Sequence, residues 1–98
     1  MPFAQINDIT TWYQDIGQGS DLPVLFADHR IWEGVTSRLS ATRRCVAYDK
    51  RGHGLSDVSP DPYAIADLAA DLLALADHRG IERFVIVDSD VIGASNGF

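Results

Sequence analysis

The segment Tyr48-Asp49-Lys50-Arg51-Gly52-His53-Gly54-Leu55-Ser56-Asp57 joins an apolar run, Arg44 to Tyr48, to a polar loop that holds two glycines. Four to eight apolar residues bounded by turn signals read as a strand buried on both faces, so the loop begins at that strand's carboxyl end. In open α/β sheets, ligand sites gather at those ends. Gly52 and Gly54 let the backbone turn tightly there. His53, between them, is read chiefly as a structural residue bonded to backbone. Its alternative role is a general base, because an imidazole titrates near neutrality.

Upstream, Phe3 to Ile6 and Thr10 to Ile16 read as two short strands around the turn pair Asn7-Asp8. Gly17 to Asp21 is a loop; its G-x-G lacks the third glycine and the helix start of a phosphate-binding turn. Leu22 to Ala27 is a second buried strand. Ile31, Trp32, Val35 and Leu39 have helical spacing. Downstream, the clearest element runs from about Pro62 to Arg79. Ile65, Leu68, Ala69, Leu72, Leu73, Leu75 and Ala76 make its apolar face, and Asp67, Asp71 and Asp77 its polar one. Asp61 is a candidate N-cap, Pro62 suits the first helical position, and Gly80 follows the last turn. Phe84 to Val87 is a final strand. Strands alternating with helices predict an α/β fold: a mostly parallel sheet of about five strands flanked by two helices, with the early pair antiparallel. The last strand would be an exposed edge, which invites a homodimer.

The totals agree with one domain over residues 1–98, since 98 residues with 46% hydrophobic and 22% charged residues suit a single small globular unit. A net charge of −6 and scattered Lys and Arg argue against nucleic acid or an anionic membrane as a partner. The single cysteine, Cys45, excludes an internal disulfide and reads as a small buried hydrophobe. No signal peptide or membrane span is legible, so a cytoplasmic location is expected.

The strand ending in Tyr48-Asp49, the Arg51-Gly52-His53-Gly54-Leu55-Ser56-Asp57 loop and the Pro62-Tyr63 helix start together resemble the N-terminal portion of the α/β-hydrolase superfamily. Asp28-His29-Arg30-Ile31-Trp32, Tyr48 to Asp57 and Gly80-Ile81-Glu82-Arg83 are most similar to 3-oxoadipate enol-lactonases. The resemblance implies a partial α/β-hydrolase fold in which Asp49, Arg51, Gly52, His53 and Gly54 form an architectural loop. It also implies an ester- or lactone-hydrolysing lineage in aromatic catabolism, with a serine nucleophile, a small-molecule ester or lactone as substrate, and no cofactor or metal.

Two departures from that pattern concern the chemistry. The family's polar loop after the Val24-Leu25-Phe26 strand supplies an oxyanion-hole N–H, yet here Phe26-Ala27 runs straight into Asp28, leaving Ala27 at the oxyanion position. The nucleophile elbow G-x-S-x-G falls by spacing on Asp88-Ser89-Asp90-Val91-Ile92, where both glycines are missing and Asp90 replaces serine. By pattern it falls on Gly93-Ala94-Ser95-Asn96-Gly97. Ser95 is therefore the candidate nucleophile and Asn96 the second oxyanion donor, with Asp90 as the alternative nucleophile. Val85 to Asp90 is also similar to the Asp-x-Asp opening of haloacid-dehalogenase-type phosphotransferases, whose motif comes early in the chain rather than at its end. His29, His53 and His78 all precede Ser95, whereas the family's acid and base follow the serine. Little or no hydrolase activity is expected of these 98 residues alone; the alternative is a non-catalytic hydrolase fragment serving as a scaffold or interaction module.

Overall fold

A computed structural model describes residues 3–58 and 64–88. Strand β1 (Phe3–Ile6) turns through Asn7, whose left-handed φ of 55° suits asparagine, into β2 (Ile9–Ile16). Then follow β3 (Val24–Ala27), helix α1 (His29–Leu39), β4 (Cys45–Tyr48), helix α2 (Ile65–His78) and β5 (Val85–Val87). The sheet order is β1-β2-β4-β3-β5. The predicted α/β fold with five strands and two helices is present, and the sheet is mixed. β3 pairs in parallel with β4 and β5, whereas β1–β2 and β2–β4 are antiparallel. The β2–β4 pairing has no local signature, because hairpin signals report only sequential neighbours.

β3 and β4 are buried at every position, and their alternate residues feed two separate cores. Leu25, Ala27, Val46 and Tyr48 pack with Leu75 and Ala76 of α2 and with Ala4, Ile6 and Tyr13. Val24, Phe26 and Cys45 face the other way, against Trp32 and Leu39 of α1. The helices thus cover opposite faces. Because the crossover after β3 goes to one face and the crossover after β4 to the other, the chain paths diverge at the carboxyl ends of these neighbouring strands. That divergence is the topological switch point where crevices form.

Both helices differ in detail from their periodicity. In α1 the sheet-facing residues are Trp32, Thr36 and Leu39, at i, i+4 and i+7, while Ile31 (60%) and Val35 (46%) are exposed. α2 begins at Ile65 with Ala64 as its N-cap residue, later than the Asp61–Pro62 start expected. Asp67 Oδ2 accepts the Ala64 N–H at 2.7 Å, half of a capping box. The Asp61 and Pro62 assignments lie outside the described residues. Leu73 and Ile65 are exposed, but Asp71, assigned to the polar face, is buried. Asp71 sits three residues after Leu68 and four before Leu75, on the inward stripe.

At the opposite end of the sheet from the β4 loop, Asp15 of β2 receives Arg44 through Nε at 3.0 Å and Nη2 at 2.6 Å, and Arg79 Nε at 2.9 Å. Burial alone would push its carboxyl up. The two guanidinium groups outweigh that and hold it below the usual aspartate range.

Candidate active site

The carboxyl ends of β3, β4 and β5 deliver four side chains to one place: Asp28, Asp49 with Lys50, and Asp88. Asp49 is the hub. Its Oδ1 accepts the His29 backbone N–H at 3.0 Å and the His29 ring Nδ1 at 2.7 Å, and its Oδ2 accepts the Leu55 N–H at 2.9 Å. One buried carboxylate thereby ties the loop after β3 to the loop after β4. Gly54, at φ +50°, lies so close that a Cβ there would collide with the Asp49 carboxylate. Gly52 has φ 77°, so both glycines of the loop are used for left-handed backbone.

The rest of the loop is fastened just as tightly. Ser56 Oγ donates to Asp49 O at 2.6 Å and accepts the Trp12 N–H at 2.9 Å. Asp57 exchanges hydrogen bonds with Thr10 through its backbone N–H and its Oδ2. Arg51 is buried and forms a fork on Asp71, Nε to Oδ2 at 2.6 Å and Nη2 to Oδ1 at 2.8 Å, with Asp8 at 2.9 Å. Hydrogen bonding to Asp71 raises the guanidinium pKa against the opposing effect of burial. His53 Nδ1 lies 3.0 Å from Arg51 O; a carbonyl only accepts, so Nδ1 donates.

Lys50, nearly fully buried, stands between two carboxylates. Its Nζ is 3.2 Å from each Asp88 oxygen and 3.4 Å from Asp28 Oδ2. Asp28 Oδ1 is buried with no hydrogen-bond partner among the described residues. Burial pushes the Asp28 carboxyl up, and Lys50 and His53 only partly offset it. Asp28 has a left-handed backbone, φ 65° and ψ 74°. A cavity of about 310 Å³ opens here, lined by Asp28, Arg30, Ile31, Asp49, His53 and Gly54.

A fold whose β4 loop, switch point and mixed sheet follow this plan matches the family model for the alpha/beta hydrolase fold over residues 22–87. The chain belongs to that family. It is similar to 3-oxoadipate enol-lactonase 1 of Acinetobacter baylyi, 37% identical over 59 residues, and to 3-oxoadipate enol-lactonase 2 of the same organism, 29% identical over 81 residues. The matches cover 60% and 78% of this chain but only 22% and 30% of those relatives. Among solved structures, the enol-lactonase of Burkholderia xenovorans LB400 superposes with a TM-score of 0.81 at 30% identity, over 89% of this chain and 36% of that one. The chain thus spans about a fifth to a third of the length of these relatives.

The expected family loop, Asp49, Arg51, Gly52, His53 and Gly54, is assembled as one unit at the strand ends. Ala27, the oxyanion candidate, is the last residue of β3, fully buried and paired in register with Tyr48. The next two N–H groups are engaged internally, Asp28 to Tyr48 O at 2.7 Å and His29 to Asp49. Ser95, Asn96 and Asp90 lie outside the described residues. Sequence reasoning missed the Lys50 pairings, the His29–Asp49 pair and the Arg51–Asp71 fork. Only the last had a local signal, the aspartate within the apolar stripe of α2.

Proposed function

We propose that this chain carries the amino-terminal part of a carboxylic-ester or lactone hydrolase site of the 3-oxoadipate enol-lactonase type, with Ser95 as its nucleophile, and that the 98 residues alone sustain little serine-dependent turnover. The 30%-identical fit to an enol-lactonase over 89% of the chain carries the lineage. Three observations support low turnover. The first two N–H groups after β3 are already bonded within the fold. Asp88, where the spacing expects an elbow glycine, is a buried ion-pair partner of Lys50. No histidine follows Ser95 in these 98 residues. A fluorophosphonate probe on the purified chain tests the reading, because it reacts only with an activated serine. We expect no labelling above the heat-denatured control. Labelling located at Ser95 and abolished in Ser95→Ala would establish the serine and refute the low turnover.

A second reading is an interaction module. Among the described residues β5 is the last strand of the sheet, with Val85 41% exposed, and α1 presents Ile31 and Val35 to solvent. An unpaired edge strand is a template for another chain, so a homodimer through β5 is expected on this reading. Sedimentation equilibrium decides it: a monomer at every concentration removes it.

A further inference from the structure

We propose that His29, held by Asp49, is a nucleophilic imidazole that cleaves activated acyl esters independently of any serine. A carboxylate oxygen accepts hydrogen bonds, so the 2.7 Å contact places a hydrogen on Nδ1, and in that neutral tautomer the lone pair lies on Nε2. Nε2 makes no hydrogen bond among the described residues. Unlike the unpaired Trp32 Nε1, it is not sealed from solvent. The ring is stacked on Trp12 at 4.0 Å between centroids, so its direction is set from one face by an indole and from one edge by a carboxylate.

Asp49 orients the imidazole through Nδ1, the geometry of the orienting carboxylate in a hydrolytic triad. The face of an indole attracts a cation. The His29 side chain is itself 17% exposed, and residues 28, 30 and 31 beside it in the chain, together with Asp49, line a neighbouring cavity of about 310 Å³ whose lining does not include the His29 ring. In the first step Nε2 adds to the acyl carbon, the bond from that carbon to the aryl oxygen breaks, and the aryl oxide leaves with the electron pair. The resulting acyl-imidazolium keeps its Nδ1–H on Asp49. Water then attacks the acyl carbon and gives up a proton to solvent, and the C–N bond breaks with its electrons returning to Nε2.

The inference needs neither Ser95 nor any other residue after Asp88, so it stands or falls separately from the serine reading. The test is p-nitrophenyl acetate cleavage by the full chain, corrected for free imidazole at equal concentration. His29→Gln is expected to lower the chain-dependent rate at least about tenfold, while His78→Gln, at the far end of α2, leaves it unchanged. A His29→Gln variant that retains the wild-type rate overturns the proposal, as does a rate lost in Ser95→Ala but kept in His29→Gln. Carbethoxylation of the wild-type chain by diethyl pyrocarbonate covers the case of a misfolded variant. Inactivation must track modification of His29, located by mass spectrometry. Inactivation that instead tracks His53 or His78 refutes it.

Discussion

Two ion-pair clusters sit at opposite ends of the same sheet with opposite charge balance. At one end a single carboxylate, Asp15, is shared by Arg44 and Arg79. At the other, among the described residues, the Lys50 ammonium lies between Asp28 and Asp88. In the first cluster, among the described residues, two guanidinium groups face one carboxylate, and both of its oxygens accept a hydrogen bond. In the second, burial above all pushes the Asp28 carboxyl up, Asp88 adds to that and Lys50 and His53 offset part of it, and Asp28 Oδ1 has no hydrogen-bond partner among the described residues. The first cluster fastens β2, β4 and the end of α2. The second lies at the carboxyl ends of β3, β4 and β5, the end of an open α/β sheet where ligand sites gather, and perturbed carboxyls tend to cluster at such places.

Removing the shared partner should separate the clusters most sharply. Lys50→Ala leaves two carboxylates without their common ammonium and is expected to cost about 3–5 kcal/mol, read as a fall in the urea midpoint. Arg44→Ala removes the fork on Asp15 but leaves Arg79 in place, so about 1–2 kcal/mol is expected from the same measurement. Asp28→Asn should go the other way, a gain on the order of 1 kcal/mol at neutral pH, because a buried carboxylate with an unmade hydrogen bond is replaced by a neutral amide. Arg79→Ala, at a guanidinium about a third exposed, should cost under about 1 kcal/mol and lose even that in high salt.

The pH dependence distinguishes the same two ends. Asp15 has a folded pKa below its unfolded one, so its contribution is present above the unfolded value of 3.8 and is lost as pH falls through the folded value. Asp28 has a folded pKa above 3.8, so the folded state binds the proton first and stability contributed by that group falls as pH rises through the folded value. The stabilising effect of Asp28→Asn should therefore shrink on acidification through that folded value, whereas the destabilising effect of Asp15→Asn should shrink only below pH 3.8. Urea midpoints of both variants against wild type across this range check the pair. Parallel curves would show that the clusters do not differ in charge balance.

Much of the fold was legible because it is written in short-range patterns. The runs Val24 to Ala27 and Cys45 to Tyr48 are buried strands, and Asn7-Asp8 is a hairpin turn. Arg51-Gly52-His53-Gly54 lies in the loop at the carboxyl end of β4, as its pattern predicts, and its two glycines adopt the positive φ that their position required. The sidedness of the helices was less legible. Ile31 and Val35 satisfy helical spacing as well as Trp32 and Leu39 do, and only the position of the sheet distinguishes a stripe that packs from one that faces water.

Composition, periodicity and one specific loop thus determined by themselves that this chain is α/β, which segments are strands, and where the chain turns tightly after β4. Those properties depend on residues within a few positions of each other. The tertiary structure decided that Lys50 sits between Asp28 and Asp88, that Asp49 holds His29, and that Asp71 anchors Arg51. Each of those pairs joins residues twenty or more positions apart, and a charge has no preferred partner in sequence. It finds its partners only when packing excludes water and brings oppositely charged groups within reach.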